Sequence, residues 1–271
     1  MLEITNYTVT SNKIPNSFEG YKILQLTDLH SASFGKDNAE LIKIIDAIKP
    51  DIIVVTGDMM NFKNDDGQVF ITLAAKLVKR YPIYCISGNH EQKIAQNASS
   101  SKIYYNFKKA LEHEDVRFID NKLIAIQKNN ESINIYGLKL PLKYYKSLAE
   151  KKRRKINDPS VDDINCYIGK VNSSEFNIML MHTPQYFSAY ANWGTDITLC
   201  GHIHGGIIRI PFVGGLLSPD VTFFPKYDAG RFEKGDSVMI VGRGLGSSGA
   251  WKVRINNNPE IVVVTLKSKA S

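Results

Sequence analysis

Apolar positions recur along this chain with two periods, near two and near 3.6, and their order sketches an architecture. Residues 3 to 10 mix polar and apolar positions (Ile4, Tyr7, Val9) as a strand does. After a loop over Asn12 to Gly20, Tyr21 to Thr27 predicts a short strand running into Asp28-Leu29-His30. Asn38 to Lys49 has apolar residues at 41, 44, 45 and 48, which is helical spacing, and Pro50 ends it. The β-branched run Asp51 to Thr56 has the character of a strand buried on both faces, and it delivers Gly57-Asp58. A helix over Gln68 to Arg80 and a strand over Pro82 to Ser87 follow, the strand leading into Gly88-Asn89-His90-Glu91. A further helix covers Lys102 to His113. The β-α-β-α-β-α alternation argues for an α/β core whose strand ends share one rim.

The pattern then changes. Val116 to Ile119, Leu123 to Gln127 and Ser132 to Gly137 read as short antiparallel strands, with a turn at Lys128-Asn129-Asn130. Lys143 to Ile156 predicts a charged helix containing Lys151-Lys152-Arg153-Arg154-Lys155, broken by Asp158 and Pro159 and followed by a weakly patterned connection. A strand over Asn177 to Met181 leads into His182, and a short helix spans Gln185 to Asn192. The strand Asp196 to Cys200 delivers Gly201-His202-Ile203-His204. Five more strands are expected at Ile207–Ile210, Val221–Phe224, Gly230–Glu233, Ser237–Val241 and Pro259–Leu266. No repeat, low-complexity tract or long linker interrupts the 271 residues, so one domain is expected, with residues 140–165 as a basic helical insertion or cap.

Composition narrows this little. An apolar fraction of 43% with 23% charged residues is ordinary for a globular core. No apolar run approaches the roughly 20 residues of a membrane-spanning helix. Met1 to Tyr7 lacks the basic start and apolar core of a signal peptide, so a cytoplasmic or membrane-associated protein is expected, with any N-terminal anchor or export signal lying outside this sequence. Cys85, Cys166 and Cys200 are odd in number and widely spaced, which predicts reduced thiols. The formal charge of +7 favours anionic substrates or surfaces. A monomer is expected.

The informative feature is positional. Five apolar runs each stop at residues of metal-binding type: Asp28 and His30, Asp58, Asn89 with His90, His182, and His202 with His204. Ligands of open α/β sheets bind outside the carboxyl ends of strands, so these side chains are expected in one cleft. Of six histidines, only His113, in a helical pattern, falls elsewhere. Three oxygen donors and up to five imidazoles exceed what one octahedral ion uses, whereas two ions sharing a carboxylate fit the count. Ligation by oxygen and imidazole without thiolate points to Mn, Fe, Zn or Ni, and one histidine can be spared as a proton donor.

In order, these residues resemble the five blocks of the calcineurin-like metallophosphoesterases, and the similarity extends from about Phe18 to Lys267. Gly205-Gly206, Arg209-Ile210-Pro211, Pro225 to Gly230 and Arg243-Gly244-Leu245-Gly246 are similar to the bacterial YaeI/YkuE-like phosphodiesterase branch. Ile203 stands where that branch often has Thr, and Ile207 where Gln is common. The resemblance implies an α/β fold, a four-layer α-β-β-α sandwich of two mixed sheets. It implies two divalent transition metal ions: Asp28, His30 and His204 on the first, Asn89, His182 and His202 on the second, with Asp58 bridging. His90 would be the catalytic residue beside the phosphate, while Glu91 would orient His90 or a neighbouring loop and Arg243 is a candidate substrate contact. A phosphodiester or phosphomonoester, on a cell-envelope or lipid-linked molecule, would be split by a water held between the ions.

Two other readings compete. A catalytically inactive metal-binding scaffold for protein interaction is one, although relatives of that kind usually lose His90 or a ligand and this chain keeps all of them. A nucleotide or nucleic-acid phosphodiesterase is the other, but no DNA-binding module is visible and no specific nucleic-acid partner is expected. The basic run Lys151 to Lys155 is by default a solvated helix face. Together with Tyr144, Tyr145 and Leu148 it is also a candidate for peripheral contact with an anionic membrane or for a cap over the cleft.

Overall fold

A computed structural model of the chain describes residues 1–62, 65–210, 212–218, 222–247 and 254–269, without the side chains of residues 148 and 149. The first half runs β1 (Glu3–Ser11), β2 (Lys22–Leu26), α1 (Ala39–Ile48), β3 (Ile52–Val55), α2 (Gln68–Leu77), β4 (Ile83–Cys85), α3 (Asn89–Gln96), α4 (Ser101–His113) and β5 (Arg117–Phe118). A hairpin of β6 (Lys122–Lys128) and β7 (Glu131–Leu138) follows, then α5 (Leu148–Arg154), α6 (Val161–Ile168), β8 (Asn177–Met181), α7 (Phe187–Trp193) and β9 (Ile197–Cys200). The chain ends with β10 (Ile208–Ile210), β11 (Gly214–Leu217), β12 (Gly230–Lys234), β13 (Ser237–Val241) and β14 (Glu260–Ser268).

Two six-stranded mixed sheets result, in the orders β1-β14-β2-β3-β4-β5 and β12-β13-β9-β8-β7-β6. Alternation along each strand sends successive apolar side chains into different layers. In β2, Ile23 joins a core that also holds Val54, Tyr84, Ile178, Leu180 and Ile240, drawn from both sheets. Its neighbour Leu24 points the other way and packs with Leu41, Ile45, Phe70 and Leu111 of the helices over the first sheet. A third cluster places Met179 and Met239 of the second sheet against Ile164, Phe187 and Trp193 of α6 and α7. Helix, sheet, sheet, helix is therefore the layer order, as expected. β2, β3 and β4 are mutually parallel, and so are β7, β8, β9 and β13. Their carboxyl ends form one rim.

Several local expectations need correction. The helix expected over Lys143 to Ile156 is interrupted: Leu142–Tyr145 is one 3-10 turn, and α5 starts only after Ser147. Ser147 is extended at ψ 156° and caps α5 by accepting from the Glu150 N–H at 3.3 Å, which breaks helical continuity. The weakly patterned connection holds α6, capped by Ser160 and Asp163 in reciprocal hydrogen bonds. α3 and β11 also lie where no element was expected. Of the strand expected at Val221 to Phe224, Val221 lies outside the described residues and Phe223 forms only an isolated bridge to Leu217. The Asn129-Asn130 turn is as expected, with φ of 50° and 65° suiting a two-residue hairpin.

The basic run divides in two. Lys151 is buried, its Nζ donating to Asp158 Oδ1 at 3.1 Å and to the Tyr186 hydroxyl at 2.9 Å, whereas Lys152 to Lys155 are exposed. Burial works against the Lys151 charge, but Tyr186 and Asp158 outweigh it and raise its pKa. Tyr144 is buried and Tyr145 turns inward, so neither serves as an aromatic end for a surface helix.

Leu180 is fully buried between the sheets. Leu180→Ala is expected to cost about 2–5 kcal/mol of stability, read from the urea midpoint at constant m-value.

Candidate metal centre

Each residue expected at the site leaves the rim at the end of a parallel strand, and the structure brings seven of them together with His90. Asp28 and His30 follow β2, Asp58 follows β3, Asn89 and His90 open α3, His182 follows β8, and His202 and His204 follow β9. The turns are tight enough that Asp28, His30, Asp58, His202 and His204 all have φ between 46° and 75°. Asp and His tolerate this left-handed region better than most residues, and keeping them there costs of order 1–3 kcal/mol each. At Gly201 no side chain is possible, because a Cβ would overlap Thr27 Oγ1 and Asp28 Oδ2.

Asp58 divides its oxygens between a backbone N–H and the cleft, whereas the His202 N–H is shared by both oxygens of Asp28, at 3.0 Å and 3.2 Å. Asp28 Oδ2 accepts from Thr27 Oγ1 at 2.7 Å and from the His202 N–H at 3.0 Å. Its Oδ1 faces His204 Nε2 at 3.3 Å and His30 Nε2 at 3.9 Å. Asp58 Oδ1 accepts from the His90 N–H at 2.8 Å. Its Oδ2 lies 3.1 Å from His182 Nε2 and 3.9 Å from the Nε2 of both His30 and His90. Three groups of donors overlap here: Asp28, His30 and His204 form one, Asp58 with His182 and His202 a second, and Asp58 with His30 and His90 a third that links them. Asn89 Oδ1 joins the second group at 3.1 Å from His182 Nε2.

The imidazoles are oriented by the backbone. His182 Nδ1 donates to Thr56 O at 2.7 Å and His30 Nδ1 to Met60 O at 3.3 Å. His204 Nδ1 lies 3.3 Å from Gly246 O, a carbonyl that Arg254 also reaches. With Nδ1 of His30 and His182 carrying the proton, their Nε2 atoms present lone pairs to the cleft. His204 Nδ1 also lies 3.3 Å from Arg254 Nη2, which can only donate. His30 Nε2 and His204 Nε2 face each other at 3.2 Å beside Asp28 Oδ1, a donor set that fits a cation.

The electrostatics agree. Burial depresses His30 and His204 to about 3 and His202 well below its ordinary value, so all three are neutral, as ligands must be. Burial also opposes charge on His182, but Asp58 and Asp28 outweigh it and push it up to about 9. A proton and a divalent cation compete for that Nε2. Burial raises the Asp28 carboxyl, while His182 and His90 hold Asp58 well below the usual range against the same burial.

Glu91 is fully buried and touches no donor group directly; burial raises it to about 8. It accepts from the N–H groups of Asp58 and Gly88, each at 2.9 Å, and of Met60 at 3.0 Å, which fixes the Asp58 turn against the start of α3. Arg243, the candidate substrate contact, donates from Nη2 to Glu3 Oε2 at 2.5 Å and Glu260 Oε1 at 3.0 Å. His113 ends α4 on the surface, outside the site.

Two contributors were not foreseen. Gln25 Nε2, inside β2, donates to Thr56 Oγ1 at 2.9 Å and Cys200 O at 2.8 Å, tying the sheets beneath the site. A polar residue amid Ile23, Leu24 and Leu26 was the available signal. Arg254 donates to Gly246 O and, at 2.9 Å, to Arg243 O behind His204, and its position carries no local signal in one sequence. Tyr145, expected only within a candidate cap over the cleft, packs its ring 5.3 Å from His202 and 5.9 Å from His182.

Comparison with known proteins agrees with this geometry. The calcineurin-like phosphoesterase family matches residues 21–206. The chain is 28% identical to the metallophosphoesterase YkuE of Bacillus subtilis, over 99% of this chain and 86% of YkuE. It is 27% identical to a metallophosphoesterase of Aquifex aeolicus, over 100% of this chain and 94% of that one. It is 24% identical to the phosphodiesterase YaeI of Escherichia coli, over 91% and 82% of the two chains. A rim of strand-end carboxylates and imidazoles and a match over more than half of the sequence lead to one conclusion: this chain belongs to the calcineurin-like phosphoesterases, a family of metal-dependent phosphoric ester hydrolases.

Proposed function

We propose that this chain is a dinuclear phosphoesterase, splitting a phosphodiester or phosphomonoester of a cell-envelope or lipid-linked molecule. The observation that carries the reading is the convergence of three imidazoles on two buried carboxylates, with His30 and His182 anchored through Nδ1 to backbone carbonyls and His204 Nε2 3.3 Å from Asp28 Oδ1. Asp28, His30 and His204 would hold one ion, Asn89, His182 and His202 the other, and Asp58 Oδ2 would serve both. Divalent cations so held supply Lewis acidity to the phosphoryl oxygens and lower the pKa of the attacking water.

The remaining work falls to the chain. Asp58 spends one oxygen on the His90 N–H, which fixes the direction of the other, and the His202 N–H holds Asp28 through both of its oxygens. His90 stands where the donor groups meet, its ring centre 4.7 Å from that of His30 and its Nδ1 buried without a hydrogen-bond partner among the described residues. From there it gives its proton to the leaving oxygen or steadies the charge that develops on phosphorus. Burial lowers its pKa despite Asp58, which eases release of that proton. The family's phosphodiesterase relative YaeI supports bis-p-nitrophenyl phosphate as a first substrate over p-nitrophenyl phosphate, with nucleotide sugars and lipid phosphates next.

Loss of the shared oxygen in Asp58→Asn is expected to cut bound metal by half or more, measured by elemental analysis after dialysis. Unchanged metal content would remove Asp58 from the bridging role. His90→Ala is expected to keep its metal and lose roughly 10²–10⁴-fold in turnover of the diester. A wild-type rate in that variant defeats the assignment, and inactivity of the wild type with Mn, Ni and Zn on every substrate favours a scaffold.

A further inference from the structure

Eleven large apolar residues are exposed among the described residues, and six of them gather on one fringe of the fold: Ile210, Phe212, Val213, Phe223, Phe224 and Ile255. They are separated in sequence but joined by backbone pairing. β10 and β11 form a hairpin whose tip carries Phe212 and Val213. Phe223 bridges to Leu217, and the Phe224 N–H donates to Leu216 O at 2.9 Å. Ile255 pairs with Ile208 on the other side. Phe212 is as exposed as a residue can be (110%), and Phe223 and Phe224 keep 66% and 60% of their surface in water. Burial of a Phe side chain is favourable, so three unburied ones on adjoining loops mark a surface that meets something.

The neighbouring charges say what it meets. Thr222, Pro225, Lys226 and Tyr227, flanking Phe223 and Phe224, share a cavity of about 180 Å³ with Lys151 of α5. The aromatic loop and the basic helix are therefore adjacent. On that helix Lys152, Arg153 and Lys155 are exposed with no carboxylate within 4.0 Å among the described residues, and Lys226 is exposed on the loop itself. Aromatic side chains at loop tips beside unpaired lysine and arginine are the composition that enters the headgroup region of an anionic bilayer. The fringe also borders the metal centre: Ile203, between His202 and His204, lines the same cavity, and β10 starts four residues after His204.

We infer that this fringe docks the protein on an anionic membrane surface, with the Phe212 and Phe223–Phe224 loops in the interface and Lys226 and the exposed end of α5 over the headgroups. Docking holds the mouth of the site against the lipid–water boundary. That a lipid-borne phosphoester is then the substrate rests on the function proposed above; the docking itself does not.

The test is co-sedimentation of the full chain with phosphatidylcholine vesicles, with and without phosphatidylglycerol. The wild type is expected to sediment with the phosphatidylglycerol vesicles and far less with neutral ones. Phe212→Ser, Phe223→Ser and Phe224→Ser together should weaken binding by at least about tenfold. Lys152→Glu with Arg153→Glu should weaken it roughly fivefold per charge removed, or more, on anionic vesicles only. Hydrolysis of soluble bis-p-nitrophenyl phosphate should stay at the wild-type rate in both variants, so failure of docking and failure of the phosphoesterase reading are seen separately. Should the triple variant fold poorly by circular dichroism, Phe212→Ser alone, at a position with no packing to lose, is expected to weaken binding in the same direction. Wild-type protein left in the supernatant with both vesicles, or phenylalanine variants that bind as the wild type does, would overturn the inference. So would light scattering that shows a wild-type dimer turned monomeric by the same substitutions, since the fringe would then be a contact between copies.

Discussion

Two carboxylates taken almost wholly out of water are what the rest of the fold has to accommodate. Asp28 and Asp58 lie at 0% and 2% exposure, and an isolated buried carboxylate is among the costliest groups a protein can hold. Backbone N–H groups supply part of the compensation: that of His90 bonds one oxygen of Asp58, and that of His202 is shared by both oxygens of Asp28. Burial lowers the pKa of His30 and His204 to about 3, and His182 alone among the imidazoles is pushed up, to about 9. The arrangement is incomplete as a set of protein groups and complete as a set of ligands.

Meeting that demand shapes the backbone nearby. Parallel strands from two sheets end on one rim, and left-handed turns reverse the chain at once so that donors meet within a few ångströms. Strain in those turns is held by groups that never touch the cleft. Glu91 spends both oxygens on three N–H groups, and Gln25 spans from one sheet to the other. Gly201 keeps clear the space in which Asp28 and the His202 N–H meet. Rigidity here is a property of buried polar bonds rather than of apolar packing.

Much of this was legible from residues alone, for a physical reason. β-branched runs such as Ile52 to Val55 cannot be mistaken for surface, and a ligand-type residue at the end of five such runs is a pattern that packing does not generate. What escaped was held by contacts distant in sequence. α3 begins on the very residues that define a motif block, so Asn89 and His90 read as loop when they open a helix. The stretch Lys143 to Ile156 has helical composition, but the cap at Ser147 divides it, and tertiary contacts bury Tyr144 and Lys151 while Lys152 to Lys155 stay exposed. Arg243 stands in a Gly-rich turn, and its ion pairs with Glu3 and Glu260 could not be read from its neighbours. Nothing local announces a partner 240 residues away.

The position of β14 has a consequence for how the protein comes into being. This last strand lies between β1 and β2, paired in parallel with one and antiparallel with the other. During synthesis the first two strands therefore leave the ribosome with a gap between them that stays open until residues 260–268 arrive. Gly244 and Gly246, which pack on Asp28 and Leu29, also arrive late. Every metal-type side chain from Asp28 to His204 is translated before the sheet that positions the first of them can close. Non-local closure of this kind is slow, and it makes the centre one of the last parts of the molecule to acquire its geometry.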